Sequence, residues 1–64
     1  MTKIRTCLFG LGHMGRNHLR ILQEDTRFEL LAVIDPVTET LPPTAQSVPL
    51  FKQLPEGLAF DLAV

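Results

Sequence analysis

Gly10-Leu11-Gly12-His13-Met14-Gly15 is the stretch on which the reading of this chain turns. Lys3-Ile4-Arg5-Thr6-Cys7-Leu8-Phe9 precedes it, and Asp35 follows twenty residues after Gly15. A G-x-G-x-x-G spacing is weak evidence alone. It gains force from a strand before it, a helix after it and an acid about 20 residues further on.

Working outward, Lys3 to Phe9 alternates in its first half and is continuously apolar in its second. That pattern predicts a strand entering from solvent and ending buried, as a central parallel strand does. A helix is expected from about Met14 to Glu24. Met14, His18, Ile21 and Leu22 fall at i, i+4, i+7 and i+8 and form its expected inward stripe. Arg16, Asn17, Arg20, Gln23 and Glu24 occupy the other side, and Asp25-Thr26-Arg27 is a polar break.

Phe28 to Ile34 reads as a second strand, closed by Asp35-Pro36 because proline turns the preceding residue away from helix. A helix between the two strands calls for parallel pairing with a right-handed crossover. Val37 to Pro49 carries Pro42, Pro43 and Pro49, which leaves room for one short helical turn at most. Val48-Pro49-Leu50-Phe51 suits a third strand, Lys52 to Phe60 a brief helix near Pro55-Glu56, and Asp61 to Val64 the start of another strand. The expected class is α/β: a Rossmann-type βαβ unit with parallel strands. Residues 1–64 are read as the N-terminal fragment of a doubly wound dinucleotide-binding domain, since the chain is shorter than half a typical domain.

Each position of the turn has a physical task. Gly10 permits the tight exit from the strand, Gly12 lets a pyrophosphate approach the backbone, and Gly15 lets the helix lie close to the strand. Amides around His13 and Met14, at the helix's positive end, can then hold phosphate oxygens. Asp35, at the tip of the second strand, is the expected acceptor for the adenosine ribose hydroxyls. The expected cofactor is NAD rather than NADP. A carboxylate repels a 2′-phosphate, and Pro36, Val37 and Thr38 bring no basic residue to offset it. No Gly-Lys-Ser/Thr follows the turn, which excludes a P-loop.

The remaining polar residues read as structural. His13 and His18 are five apart, not the four that place two ligands on one helix face, and no metal site is expected. His18 is expected to be packed and hydrogen-bonded, Arg16 to be a solvated charge, and Asp61 to be a strand-edge residue. Cys7 is the single cysteine and is expected as a small buried hydrophobe. The net charge of -1, with basic residues scattered among acidic ones, gives no basis for a nucleic-acid or anionic-membrane partner. No apolar run reaches membrane-span length and no signal-peptide pattern opens the chain, so the expected compartment is the cytoplasm.

The turn G-L-G-H-M-G, the R-N-H-L after it, the strand L-L-A-V-I-D-P and the closing F-D-L-A-V together resemble the N-terminal segment of the Gfo/Idh/MocA family of NAD(P)-dependent oxidoreductases. The resemblance covers nearly the whole chain, and G-x-G-x-M-G-x-x-H followed by A-V-x-D is far more specific than the glycines alone. It implies a Rossmann domain followed by an α+β domain whose open sheet mediates homo-oligomers. It also implies oxidation or reduction of a hydroxyl or carbonyl on a sugar, polyol, nucleotide sugar or related small molecule. Carried over by residue, Gly10, Leu11, Gly12, His13, Met14 and Gly15 form the cofactor turn and Asp35 holds the adenosine ribose. Two departures stand out. The interval after Asp35 carries Pro42-Pro43 where the family has a second helix, and the family's Glu-Lys-Pro segment and later histidine lie beyond Val64. No catalytic residue is therefore expected within the chain. The alternatives are a non-catalytic nucleotide-binding module and an inactive truncated remnant.

Overall fold

The computed structural model describes residues 2–64. Its elements run β1 (Ile4–Phe9), α1 (His13–Glu24), β2 (Phe28–Ile34), a 3-10 turn (Pro43–Ala45), β3 (Leu50–Phe51) and β4 (Leu62–Ala63). All strand pairs are parallel, in the order β3-β2-β1-β4. The expected α/β class and parallel pairing are thus present. β1 lies inside the sheet, and its Thr6, Cys7 and Leu8 are fully buried.

Two apolar clusters sandwich the sheet. Leu8, Leu11, Leu19, Leu22, Val33, Leu41 and Ala45 lie on the α1 side, and Cys7, Ala32 and Ile34 on the other. Strand alternation produces this division, sending Leu8 and Val33 one way and Cys7 and Ile34 the other. Burying each leucine of α1 contributes about 1.5–3 kcal/mol. Leu58, Phe60 and Phe51 pack over the second cluster, and the rings of Phe9 and Phe60 meet at 6.3 Å between centroids.

Alternation breaks once. Thr6 pairs with Leu30 but Cys7 with Ala32, so Leu31 is an extra residue in β2. Leu31 and Ala32 consequently both belong to the second cluster. The bulge also advances β2 by one residue at its carboxyl end, where Phe9 pairs with Ile34 and Gly10 N–H donates to the Ile34 carbonyl at 2.8 Å. Asp35 is thereby brought level with the glycine turn.

Three expectations need correction. Of the expected inward stripe of α1 only Leu22 is buried, and Leu19 joins it, while Met14 (62% exposed), Ile21 (48% exposed) and His18 face out. Gly15 explains the rotation, because it is the residue packed against β1's exit, and positions 19 and 22 share its face. His18 is accordingly not the packed histidine expected. Lys52 to Phe60 forms no helix, only a turn closed by Leu58 N–H on the Pro55 carbonyl. These residues must carry the chain from one sheet edge to the other, across three strand spacings of about 4.8 Å each, and also return it to the strands' starting ends. A helix rising about 1.5 Å per residue falls short of that path.

Asp61 does more than mark a strand edge. Its carboxylate accepts from the Arg5 backbone N–H at 3.1 Å and from Arg5 Nε and Nη2 at 3.3 and 3.2 Å, while Asp61 N–H donates to the Arg5 carbonyl at 2.8 Å. This fork-like pairing fastens the start of β4 to β1. The Arg5 guanidinium in turn holds the Asp61 carboxyl below the usual carboxylate range.

Candidate functional site

The turn from Gly10 to Gly15 lies at the carboxyl end of β1, between β1 and α1. Its glycines occupy three different environments. Gly10 has φ +93°, a left-handed conformation that costs any residue with a Cβ about 1–2 kcal/mol. At Gly15 an added Cβ would sit 2.9 Å from the Gly10 carbonyl carbon and closer still to its oxygen, so helix and strand touch backbone to backbone. An added Cβ at Gly12 meets nothing within 4 Å. Packing therefore explains Gly15, conformation explains Gly10, and neither explains Gly12.

Gly12 is also the N-cap of α1, and its carbonyl accepts the first helical bond from Arg16 N–H at 3.1 Å. No side chain caps this end, and no acidic residue lies in the first turn. By helix geometry the amides of His13, Met14 and Gly15 have no intrahelical acceptor. With the helix dipole they present a positive end beside the open face of Gly12. His13 and Met14 are exposed there, whereas Leu11 is buried in the core and anchors the turn.

Asp35 joins this turn directly. The residue is 8% exposed. Its Oδ2 accepts the Leu11 N–H at 2.6 Å, and its Oδ1 accepts the N–H groups of Val37 at 2.8 Å and Thr38 at 3.1 Å. The backbone donors of Val37, Leu11 and Thr38, in that order of effect, lower its pKa to about 2. The side chain is therefore a carboxylate throughout the neutral range. A carboxylate offers about four acceptor positions. Three backbone donors take three of these, and the Thr38 side chain also stabilises the carboxylate by hydrogen bonding.

All seven residues singled out by sequence thus gather at one end of the sheet: Gly10, Leu11, Gly12, His13, Met14, Gly15 and Asp35. Sequence reading missed the bond from Leu11 to Asp35, since separation along the chain gives no sign of it. It also missed Lys52, which follows β3 at the same sheet end and pairs with Glu39 at 3.2 Å. A groove of about 570 Å³ lies elsewhere, between α1 and the 3-10 turn, and is lined by Arg16, Leu19, Arg20, Gln23, Glu24, Pro42 and Thr44. Arg16 faces that groove as an exposed charge.

Cys7 is fully buried, and burial pushes its thiol pKa up, away from a reactive thiolate. Among the described residues no three His, Cys, Asp or Glu side chains gather as a metal site, and no helix is long and apolar enough to cross a membrane. Comparison with protein-family models, with curated proteins and with solved structures finds no match to this chain.

Proposed function

We propose that this chain is the cofactor-binding part of an NAD-dependent oxidoreductase, with a Rossmann-type fold of the kind found in the Gfo/Idh/MocA family. In this reading residues 10–15 hold the cofactor's pyrophosphate and Asp35 accepts a hydroxyl of the adenosine ribose. The single observation that carries it is the contrast among the glycines. Gly12 has open space where the fold needs none, directly beside an uncapped helix N-terminus. The strand order β3-β2-β1-β4 supports it too, as the order of the first strands of a doubly wound dinucleotide-binding sheet.

The chain's own residues bind and orient in this account, and none is assigned the hydride step. The substrate is a small molecule bearing a hydroxyl or carbonyl, such as a sugar, polyol or nucleotide sugar, and the working assembly is a homo-oligomer. Both follow from the family resemblance.

The test is calorimetric titration of the chain with NAD and with NADP. NAD should bind at least about tenfold more tightly. The Asp35 carboxylate accepts a ribose hydroxyl but opposes a phosphate, and 1.4 kcal/mol corresponds to tenfold. Asp35→Ser should weaken both ligands, because the Leu11 N–H loses its acceptor, and should bring their affinities within about threefold of each other. Equal affinities in the unaltered chain, or an unchanged ratio in Asp35→Ser, would contradict the assignment of Asp35.

A further inference from the structure

Two further charges, Glu39 and Lys52, lie near Asp35. β2 and β3 pair Val33 with Leu50 and Ile34 with Phe51, and the ladder ends with Asp35 N–H donating to the Phe51 carbonyl at 2.8 Å. Continuing the same register sets Lys52 opposite Asp35, one strand spacing of about 4.8 Å away. Val33 and Leu50 pack on the α1 side, Ile34 and Phe51 on the other. Asp35 lies on the α1 side, where its carboxylate holds the Leu11 N–H of the glycine turn, and Lys52 follows the Phe51 carbonyl that the Asp35 backbone N–H binds. Lys52 thus brings a cation to the sheet end that holds Asp35.

Its charge is already engaged. Lys52 Nζ donates to Glu39 Oε1 at 3.2 Å. Glu39 directly follows Thr38, whose N–H is bound to Asp35 Oδ1. The three side chains Asp35, Glu39 and Lys52 together carry one net negative charge. Lys52 and Glu39 are both mostly exposed, so the pair is held weakly and contributes little to the fold.

We infer that the Glu39–Lys52 pair is a second determinant of cofactor choice: Glu39 occupies the lysine that would otherwise receive a 2′-phosphate. This inference rests on the dinucleotide reading above. With Glu39 in place, a phosphate meets the uncompensated Asp35 carboxylate. With Glu39 neutral, Lys52 is free to face Asp35 and the ligand, and the local net charge becomes zero. NAD, which has only a hydroxyl at that position, is indifferent to the change.

The experiment measures NAD and NADP dissociation constants for the full chain and for Glu39→Gln, Lys52→Gln and the double variant, with far-UV circular dichroism recorded on each sample. Glu39→Gln should tighten NADP about threefold to tenfold while NAD stays within about twofold. The gain should shrink as salt is added, as expected of exposed charges. Lys52→Gln should weaken NADP, and the double variant should return to the parent ratio. A Glu39→Gln variant with an unmoved ratio, while NAD still binds, overturns this inference and leaves the dinucleotide reading standing. A double variant that keeps the full gain also overturns it, because Glu39 would then act without Lys52. A folded parent chain that binds neither cofactor overturns both.

Discussion

Gly12→Val is expected to abolish the proposed NAD binding, by about a hundredfold or more, and to leave the fold intact. Both halves of this expectation come from the same position. Gly12 has φ -67° and ψ -168°, extended backbone open to any residue, and an added Cβ meets nothing within 4 Å. The first side-chain carbon of valine therefore meets no neighbour. Its branched side chain would instead fill the space beside the amides of His13, Met14 and Gly15, where a pyrophosphate must lie against the backbone. A hundredfold loss corresponds to about 2.8 kcal/mol, modest for a ligand group that can no longer reach several charge-assisted hydrogen bonds. The checks are calorimetry with NAD and a far-UV spectrum matching the parent. A folded Gly12→Val chain that binds NAD as tightly as the parent would remove the turn from the phosphate site.

Gly15→Ala should do the opposite and damage the fold itself. Alanine in a helix is favoured over glycine by about 1 kcal/mol, so propensity alone predicts stabilisation. Against it stands the Gly10 carbonyl, which is backbone and cannot swing aside as a flexible side chain does. Overpacking of that kind typically costs about 1–3 kcal/mol and occasionally more. Here the whole of α1 would have to lift from β1, disturbing Leu19 and Leu22, so the upper end applies and the clash wins. At ordinary per-residue stability a chain of this length holds about 3–10 kcal/mol in total, and a large share would be lost. Thermal melts followed by circular dichroism should show Gly15→Ala far below the parent. Gly10→Ala, which adds no clash and only left-handed strain, should lie between them. A Gly15→Ala chain as stable as the parent would contradict the backbone contact.

The contrast among the glycines shows which parts of the molecule the sequence made legible. β1, β2, the turn and the acid were readable because their signals are local: a run of apolar residues, glycines at fixed spacing, a proline closing a strand. The buried face of α1 was not. Counting apolar side chains treats Gly15 as neutral, although it is the residue set most tightly against the sheet. The bulge at Leu31 left no trace, since β2 is apolar from Leu30 to Ile34 and has no alternation there for an extra residue to interrupt. Arg5 and Asp61 stand 56 positions apart, and only the folded sheet shows them as partners. The position of Lys52 beside Asp35 likewise depends on the register of β3. Asp35 was legible as an acid at a strand tip, but not as the group that binds the turn's own Leu11 amide. That bond makes it a support for the turn as well as the acceptor proposed for the ribose.

In the proposed reading, the open face of Gly12 and the uncapped end of α1 receive a dinucleotide pyrophosphate beside Asp35. The most direct measurement is an amide-resolved NMR titration of the chain with NAD. The largest shifts should fall on Gly12, His13, Met14 and Gly15, with smaller ones on Leu11 and Thr38, whose N–H groups are bound to Asp35. Arg20, Gln23 and Thr44, around the groove on the far part of α1, should not move. Shifts concentrated at that groove, or a folded chain whose turn amides stay unmoved at millimolar NAD, would contradict the account.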